Sequence, residues 1–568
     1  MTGRRHSFPE IPTLLVALLL AGPVLAGLAG TVLPAFGYLP VLGYDRISLE
    51  PFRELLAAPG LARSALLSFG TGLVASLLSL AIVLVFAAGW AGTATFQRLS
   101  RFLSPLLSVP HAAAAIGLAF LIAPSGFLVR ALSPWATGWT RPPDLLILND
   151  PLGLSLTFGL VAKEVPFLFL MTLAALSRPH IRDFYRAGAS LGYGRMATFF
   201  KIVLPQIYPL IRLPVLAVIA YATSVVDVAV ILGPTTPAPL APRLVGWMSD
   251  PDLSRRLTAS AGALLQLGVT SAALLVYLIL ERLALSGLRG RLASGHRHRH
   301  DGAARHAGLA LMVAVITVMM LSLLLLGLWS MARSWWFPAL LPQRWDLMRL
   351  ADTFTMGAPA LWATLALAVT TAGLATALTL WLLDARSHNN RPSGRRLKAL
   401  VFLPLLLPQI GFLFGLQMLF LLAGMSGSFP AVLLAQLVFV FPYAVLSLSD
   451  SWARLDPRYT KAAASIGASR ARIFWQVRLP LLLRPVLTTL AVAAAVSVGQ
   501  YLPTLMIGAG RIVTVTTESV ALASGGNRPV AALYALLQLL IPLTGFVLAA
   551  LIPAVLYRNR AAMRLERG

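Results

Sequence analysis

Three ionisable residues, Lys163, Glu164 and Asp227, interrupt otherwise apolar stretches of this 568-residue chain. A charge held in hydrocarbon costs about 2.5–3.5 kcal/mol on insertion scales, which makes each a functional candidate by default. Lys163 and Glu164 are adjacent, so on a helix they point about 100° apart and do not neutralise each other directly. Two roles are open to Glu164 and Asp227. They line a pathway and contact or gate what passes through it, or they pair with Lys163 or span-end arginines to fix helix packing. No paired carboxylate or Ser/His/Asp constellation recurs at a plausible depth, and cysteine is absent, so there are no disulfides, thiolate metal sites or Cys nucleophiles. Gly295-His-Arg-His-Arg-His300 alternates His with Arg but lacks Cys or carboxylate support, and reads as a solvated basic linker without a metal. None of Lys163, Lys201, Lys398 or Lys461 is followed by Ser or Thr. The phosphate-cradling Gly-x-x-x-x-Gly-Lys-Ser/Thr loop is therefore missing, and the chain does not bind ATP by that device.

The elements that position these residues follow from composition. At 58% hydrophobic and 12% charged, the chain is too apolar for a soluble protein. Its apolar runs are continuous rather than alternating, which selects membrane-spanning helices of about 20 residues over a barrel. Twelve spans are predicted, near 11–35, 64–90, 103–125, 152–177, 205–232, 259–281, 307–330, 359–383, 398–424, 430–449, 480–508 and 531–556. With the N-terminus inside, the inside segments hold 30 Lys/Arg and the outside loops 13, so both termini are predicted to be cytoplasmic. The net charge of +26 is thus a property of a membrane protein's cytoplasmic face and its anionic lipid headgroups, and calls for no nucleic acid. Arg4-Arg5 and the small residues at Val24-Leu-Ala26 suggest a cleavable signal, but the run stays apolar to Phe36 and has a counterpart at 307–330, so it is read as a retained span. Trp135, Trp139, Trp335, Trp336 and Trp345 fall in outside loops, as expected of rings at headgroup level.

One segment occurs twice. Tyr185-Arg-Ala-Gly-Ala-Ser-Leu-Gly192 leads to Leu204-Pro205, and Thr460-Lys-Ala-Ala-Ala-Ser-Ile-Gly467 leads to Leu479-Pro480, 275 positions later. Ala187/Ala462, Ala189/Ala464, Ser190/Ser465, Gly192/Gly467, Arg195/Arg470, Phe199/Phe474, Leu204/Leu479 and Pro205/Pro480 are identical pairs. Spacing kept on that scale signals duplication. Ile231-Leu-Gly233 matches Met506-Ile-Gly508 in the same register, and Pro166-Phe167 matches Pro442-Tyr443 one residue further on. The chain divides into a first repeat at 1–285, a cytoplasmic basic linker at 286–306 and a second repeat at 307–568, each repeat with six spans. An even number of spans returns the chain to its starting side, so the repeats are parallel and a pathway is expected at their interface. Each repeated loop reads as two short helices broken at its glycine, with Pro205 or Pro480 in the first turn of the next span. The apolar faces Phe199, Phe200, Val203 and Phe474, Trp475, Val477 require burial against the bundle or against a cytoplasmic partner.

A cytoplasmic Ala-Ala/Gly…Gly…Leu-Pro segment before the next-to-last span of a six-span unit is similar to the EAA loop of bacterial binding-protein-dependent ABC import permeases. The resemblance covers both halves, so the chain looks like a fused double permease, related to the iron(III), thiamine and sulfate/polyamine types. Lys163-Glu-Val-Pro166 and Ser497-Val-Gly-Gln-Tyr-Leu-Pro-Thr504 carry the finer likeness. It implies an all-α polytopic protein of about twelve transmembrane helices in two parallel six-helix repeats, the type I importer permease fold. It also implies a non-catalytic subunit of the bacterial inner membrane: a periplasmic substrate-binding protein delivers cargo, and two copies of a separate ABC ATPase supply all the ATP hydrolysis. By position, Arg186, Ala187, Gly192, Arg195 and Phe199, with Lys461, Ala462, Gly467, Arg470 and Phe474, would form the two ATPase-coupling loops. Arg186 and Lys461 stand where the family carries Glu, which removes or reverses that contact. The competing reading is an ion-gradient-driven secondary transporter with parallel repeats, which would concentrate charge in both halves. The outside loops mix Arg with Asp/Glu and name no substrate.

Overall fold

In hydrocarbon every backbone N–H and C=O needs a partner within its own segment, and a helix provides one. The computed structural model describes residues 11–178, 180–293, 297, 301–388 and 395–558. Ten of its helices are long and apolar enough to cross a membrane, and two bent pairs bring the number to twelve. Spans 1–6 are Ile11–Ala35, Leu61–Trp90, His111–Leu132, Leu154–Leu176, Arg195–Thr223 and Arg255–Leu288. Spans 7–12 are Gly302–Met331, Ala351–Ser387, Ala399–Leu406 with Ile410–Leu422, Phe429–Ala453, Arg470–Leu481 with Leu483–Val498, and Arg528–Leu556. Among the described residues the one sheet is a two-stranded ribbon, Ala332–Ser334 against Arg344–Trp345. The protein is thus an all-α, twelve-span membrane bundle built as two parallel six-helix repeats.

The first span of each repeat packs in the other repeat. Span 1 lies along the third span of the second repeat, and span 7 along that of the first. Glycines make both crossings close. A Cβ on Gly30 would stand 2.9 Å from Gly415 Cα, and one on Gly117 only 2.6 Å from the Ser322 carbonyl oxygen. Gly117 and Gly415 are equivalent, each seven residues after a proline, Pro110 and Pro408. The Gly415 N–H also donates to Thr31 Oγ1 at 3.2 Å. Small residues at such contacts let backbones approach where no hydrophobic effect drives helices together.

Several expected spans are broken rather than straight. The third is preceded by a separate helix, Ala94–Leu106, and resumes at His111–Ile122. Its equivalent in span 9 turns by 97° between Leu406 and Ile410. The fifth stops at Thr223 and resumes as Asp227–Leu232, while its equivalent stops at Val498 and resumes as Tyr501–Gly508. The helix carrying span 6 continues to Ala293 and span 7 begins at Gly302, so helix occupies much of the stretch read as a linker. His296, His298 and His300 lie outside the described residues, as do Arg4 and Arg5. Trp335 departs from the headgroup expectation. It is 7% exposed and packs tilted against Trp329 at 4.5 Å, because the Arg130 guanidinium donates to the carbonyls of Trp335, Trp336 and Ala339 and draws this loop inward.

Candidate functional site

Both repeated loops fold alike. Helix Ile181–Ser190 precedes Gly192 at φ +75°, and helix Pro457–Ser465 precedes Gly467 at φ +79°. Only glycine adopts that left-handed backbone without a steric penalty. Each glycine N–H and the N–H after it turn back onto helix carbonyls: Gly192 to Ala189 and Tyr193 to Gly188, Gly467 to Ala464 and Ala468 to Ala463. This closes the helix end on itself. One four-residue helix then follows in each copy, Arg195–Thr198 and Arg470–Ile473. A π-helical turn comes next, Phe199–Val203 and Phe474–Arg478, and runs into the following span. Such turns are rare in soluble helices and collect at functional sites.

The copies differ in what holds them. Arg195 lies over the Tyr185 ring at 5.7 Å and donates to the Ala91 carbonyl at the end of span 2. Gly194 N–H donates to the Arg297 carbonyl at 3.0 Å, and Met196 N–H to the Asp301 carboxylate at 2.8 Å. Residues joining the two repeats therefore strap the first loop. Phe199 is fully buried, and a Cβ on Gly188 would collide with Thr198. Burial pushes the Tyr185 hydroxyl up to about 12, against the opposing pull of Arg195. In the second copy Arg470 and Arg478 both reach Asp384 at the end of span 8, Arg470 at 2.9 Å. Two of its apolar residues are turned outward, Ile466 84% and Trp475 64% exposed, while Phe474 packs partly buried near Trp452. Internal burial and outward display, both open from sequence, thus occur in both copies, with burial stronger in the first and display stronger in the second.

Of the predicted loop residues, Arg186, Ala187, Lys461 and Ala462 are exposed, whereas Arg195 and Arg470 are engaged within the chain. Among the described residues Arg186 approaches only Asp183, at 3.5 Å and in solvent, where an ion pair is worth little. Sequence reasoning missed Leu191 and Ile466, exposed apolar residues placed directly before the two glycines. Their shared register was the available signal.

The interior charges meet at the seam between the repeats. Glu164 is 3% exposed and its Oε1 lies 3.3 Å from His111 Nε2. Asp227 is 6% exposed and accepts from the Tyr221 hydroxyl at 3.4 Å, while the Tyr221 ring packs on His111 at 4.6 Å. Lys163 turns away and donates to the Leu106 and Leu107 carbonyls at 3.3 and 3.2 Å, a cation on a helix C-terminus. Glu164 therefore pairs with His111, not with Lys163 or a span-end arginine. From the second repeat, Tyr443 lies within electrostatic reach of Glu164 and Tyr501 of Asp227. His111 and Asp227 both begin helices that restart inside the bundle. Half-helix ends of this kind form the binding sites of many transporters. His111 was visible as an ionisable group in an apolar run; Tyr221, Tyr443 and Tyr501 carried no sequence signal.

At the corresponding seam the second repeat is neutral. Gln436, 1% exposed, accepts from Ser497 at 2.5 Å and donates to Thr504 at 2.9 Å. Every polar group in this network finds a partner without an ionised side chain, which suits a buried network.

A duplicated twelve-span bundle, with two matched loops on one face and a polar seam between its repeats, defines a membrane permease. A family profile described as "Binding-protein-dependent transport system inner membrane component" matches residues 383–557. Over 507 residues the chain is 34% identical to the inner membrane ABC transporter permease protein YnjC of Escherichia coli (strain K12), covering 89% of this chain and 91% of that protein. A 129-residue stretch is 36% identical to the molybdenum transport system permease protein ModB of Mycobacterium tuberculosis (strain ATCC 25618 / H37Rv), 21% of this chain and 49% of ModB. The chain belongs to the permeases of binding-protein-dependent ABC transporters.

Proposed function

We propose that this chain forms the translocation pathway of an ABC importer in the bacterial inner membrane, with both termini cytoplasmic. A periplasmic binding protein delivers the substrate, and two ATPase subunits dock on the loops around Ala187–Gly192 and Ala462–Gly467. The observation that carries this reading is the matched geometry of the loops: the same left-handed glycine, the same closing hydrogen bonds and the same π turn, 275 residues apart. A turn repeated in that detail, with Leu191 and Ile466 at its tips, supports a shared docking role. Each loop continues into a broken span that ends at the seam, a direct mechanical route from docking face to pathway. Affinity purification from native membranes is expected to recover an ATPase and, under cross-linking, a soluble binding protein. A preparation that never contains an ATPase would remove this reading.

Glu164 and Asp227 belong to that pathway in this proposal, since tyrosines of the second repeat lie within electrostatic reach of them. Unchanged transport by Glu164→Gln and Asp227→Asn proteins at normal expression would assign them to packing instead. One observation favours the ion-gradient alternative, the pairing of buried Glu164 with half-buried His111, whose groups are able to carry a proton. Collapsing the proton and sodium gradients in ATP-loaded proteoliposomes separates the readings: uptake persists for the importer and stops for the alternative.

A further inference from the structure

On the face of the bundle away from the loops, a cavity of about 280 Å³ opens between the repeats. The first repeat lines it with Ser249 and Arg256, the second with Gln417, Ala509 and Gly510. Arg256 is partly buried, its Nε is shut off from solvent, and its side chain makes no hydrogen bond or ion pair among the described residues. A cation half out of water without an acceptor is costly, so such a group asks for an anion. Its neighbour Arg255 is already satisfied by Asp250 at 3.5 Å.

The backbone adds donors. Ala509 stands at φ +47° and Gly510 at φ +74°, ending helix Tyr501–Gly508. A non-glycine residue in that region is uncommon and points to a constrained site. The chain resumes bonding with Arg511 and Ile512, whose N–H groups return to the Gly508 carbonyl; neither the Ala509 nor the Gly510 N–H has a protein acceptor among the described residues. Successive N–H groups left free in a turn form anion-binding concavities. The Ser249 hydroxyl and Gln417 amide make no hydrogen bonds of their own among the described residues, and no carboxylate lines the cavity. Arg256, Ser249, Gln417, Ala509 and Gly510 thus line one small space, and between them carry a guanidinium, a hydroxyl, an amide and two N–H groups without a protein acceptor among the described residues.

We infer that this cavity is a binding site for a small anion of the oxyanion or carboxylate class at the mouth of the seam. Both repeats supply donors, so movement of one against the other opens or dissolves the site. That sensitivity suits a site occupied in one state of a transport cycle. The assignment of the anion as cargo rests on the permease reading, but the binding does not.

The test is thermal unfolding of the detergent-purified chain titrated with sulfate, inorganic phosphate and acetate, against chloride at matched ionic strength. At least one anion is expected to raise the midpoint saturably. Arg256→Gln is expected to weaken that response at least tenfold, and Arg256→Lys to keep part of it, because charge survives while the planar fork is lost. No saturable response from the natural chain, or an equal response from Arg256→Gln, overturns the proposal. If Arg256→Gln does not fold, Gln417→Ala is read instead, with a weakened response expected and an unchanged one counting against the site. ATPase recovery with the same chain is scored separately. An ATPase without anion binding removes this inference alone; anion binding without an ATPase removes the importer reading and leaves the site.

Discussion

The two repeats share a fold and divide its labour. The first holds ionisable groups at the seam and ties its loop down through Ala91, Arg297 and Asp301. The second keeps a neutral Gln436 network at the seam and presents its loop, with Ile466 and Trp475 in solvent. A duplicated scaffold therefore leaves each copy free to specialise. Backbone geometry stays matched because the left-handed glycine and the π turn are local, whereas side-chain partners drift because they come from elsewhere in the chain.

The sharpest way to break this comparison is at the seam. His111→Ala leaves Glu164 buried without its partner and is expected to cost about 3 kcal/mol in detergent unfolding. Gln409→Ala, at the equivalent place after Pro408, is expected to cost under about 1 kcal/mol, since no charge depends on it. Equal losses would show that the first repeat's charges are not its distinguishing feature.

The loops come next. Ile466→Asp is expected to lower ATPase recovery about tenfold, equivalent to roughly 1.4 kcal/mol. Leu191→Asp, on the strapped loop, is expected to lower it about threefold. The ratio of ATPase to permease after purification measures both, and the reverse order would sink the asymmetry. Replacing Arg186 and Lys461 together by Glu asks whether these positions face the ATPase; unchanged recovery would place them outside the contact.

Restraint of the loops separates the copies again. Asp301→Ala is expected to speed amide hydrogen exchange at residues 195–198 about tenfold and leave 470–473 unchanged, while Asp384→Ala does the converse. Cross-talk between the two loops in either variant would show that they move as one.

The smallest effect concerns the fourth span of each repeat. Asp150 accepts from the N–H groups of Leu154 and Ser155 at 2.7 and 2.9 Å, and the equivalent cap in span 10 is the neutral Ser428. Burial raises the Asp150 pKa, but these bonds outweigh it and hold the carboxyl below its ordinary value. The folded pKa is the lower one, so this stability is fully present above the unfolded value of about 3.9 and is lost as pH falls through the folded value. Asp150→Ala is expected to cost about 1 kcal/mol near pH 7 and progressively less below pH 4, whereas the cost of Ser428→Ala stays flat. A pH-independent Asp150→Ala penalty would contradict the assignment.

Much of this molecule is legible in its sequence because much of it is local. Span positions follow from windows of about 20 residues, and the loop turns follow from Gly192 and Gly467 with Pro205 and Pro480 beyond them. Glu164 and Asp227 stood out against apolar neighbours. Their partners did not: His111 is 53 residues from Glu164 in sequence, and Tyr443 and Tyr501 come from the other repeat. The cavity between the repeats was equally hidden, since Arg256 and Gly510 are ordinary until the repeats meet.

By itself the sequence determined a twelve-span helical protein, its duplication, and the two places where matching turns face one side. Lipid forces backbone hydrogen bonding to be local, so composition and spacing suffice for that much. Tertiary structure alone decided that the first spans exchange between repeats through Gly30, Gly117 and Gly415, that one loop is strapped and the other displayed, and which groups face each other at the seam. Those outcomes depend on close approach between helices far apart in the chain, and sequence spacing carries no information about which helices touch.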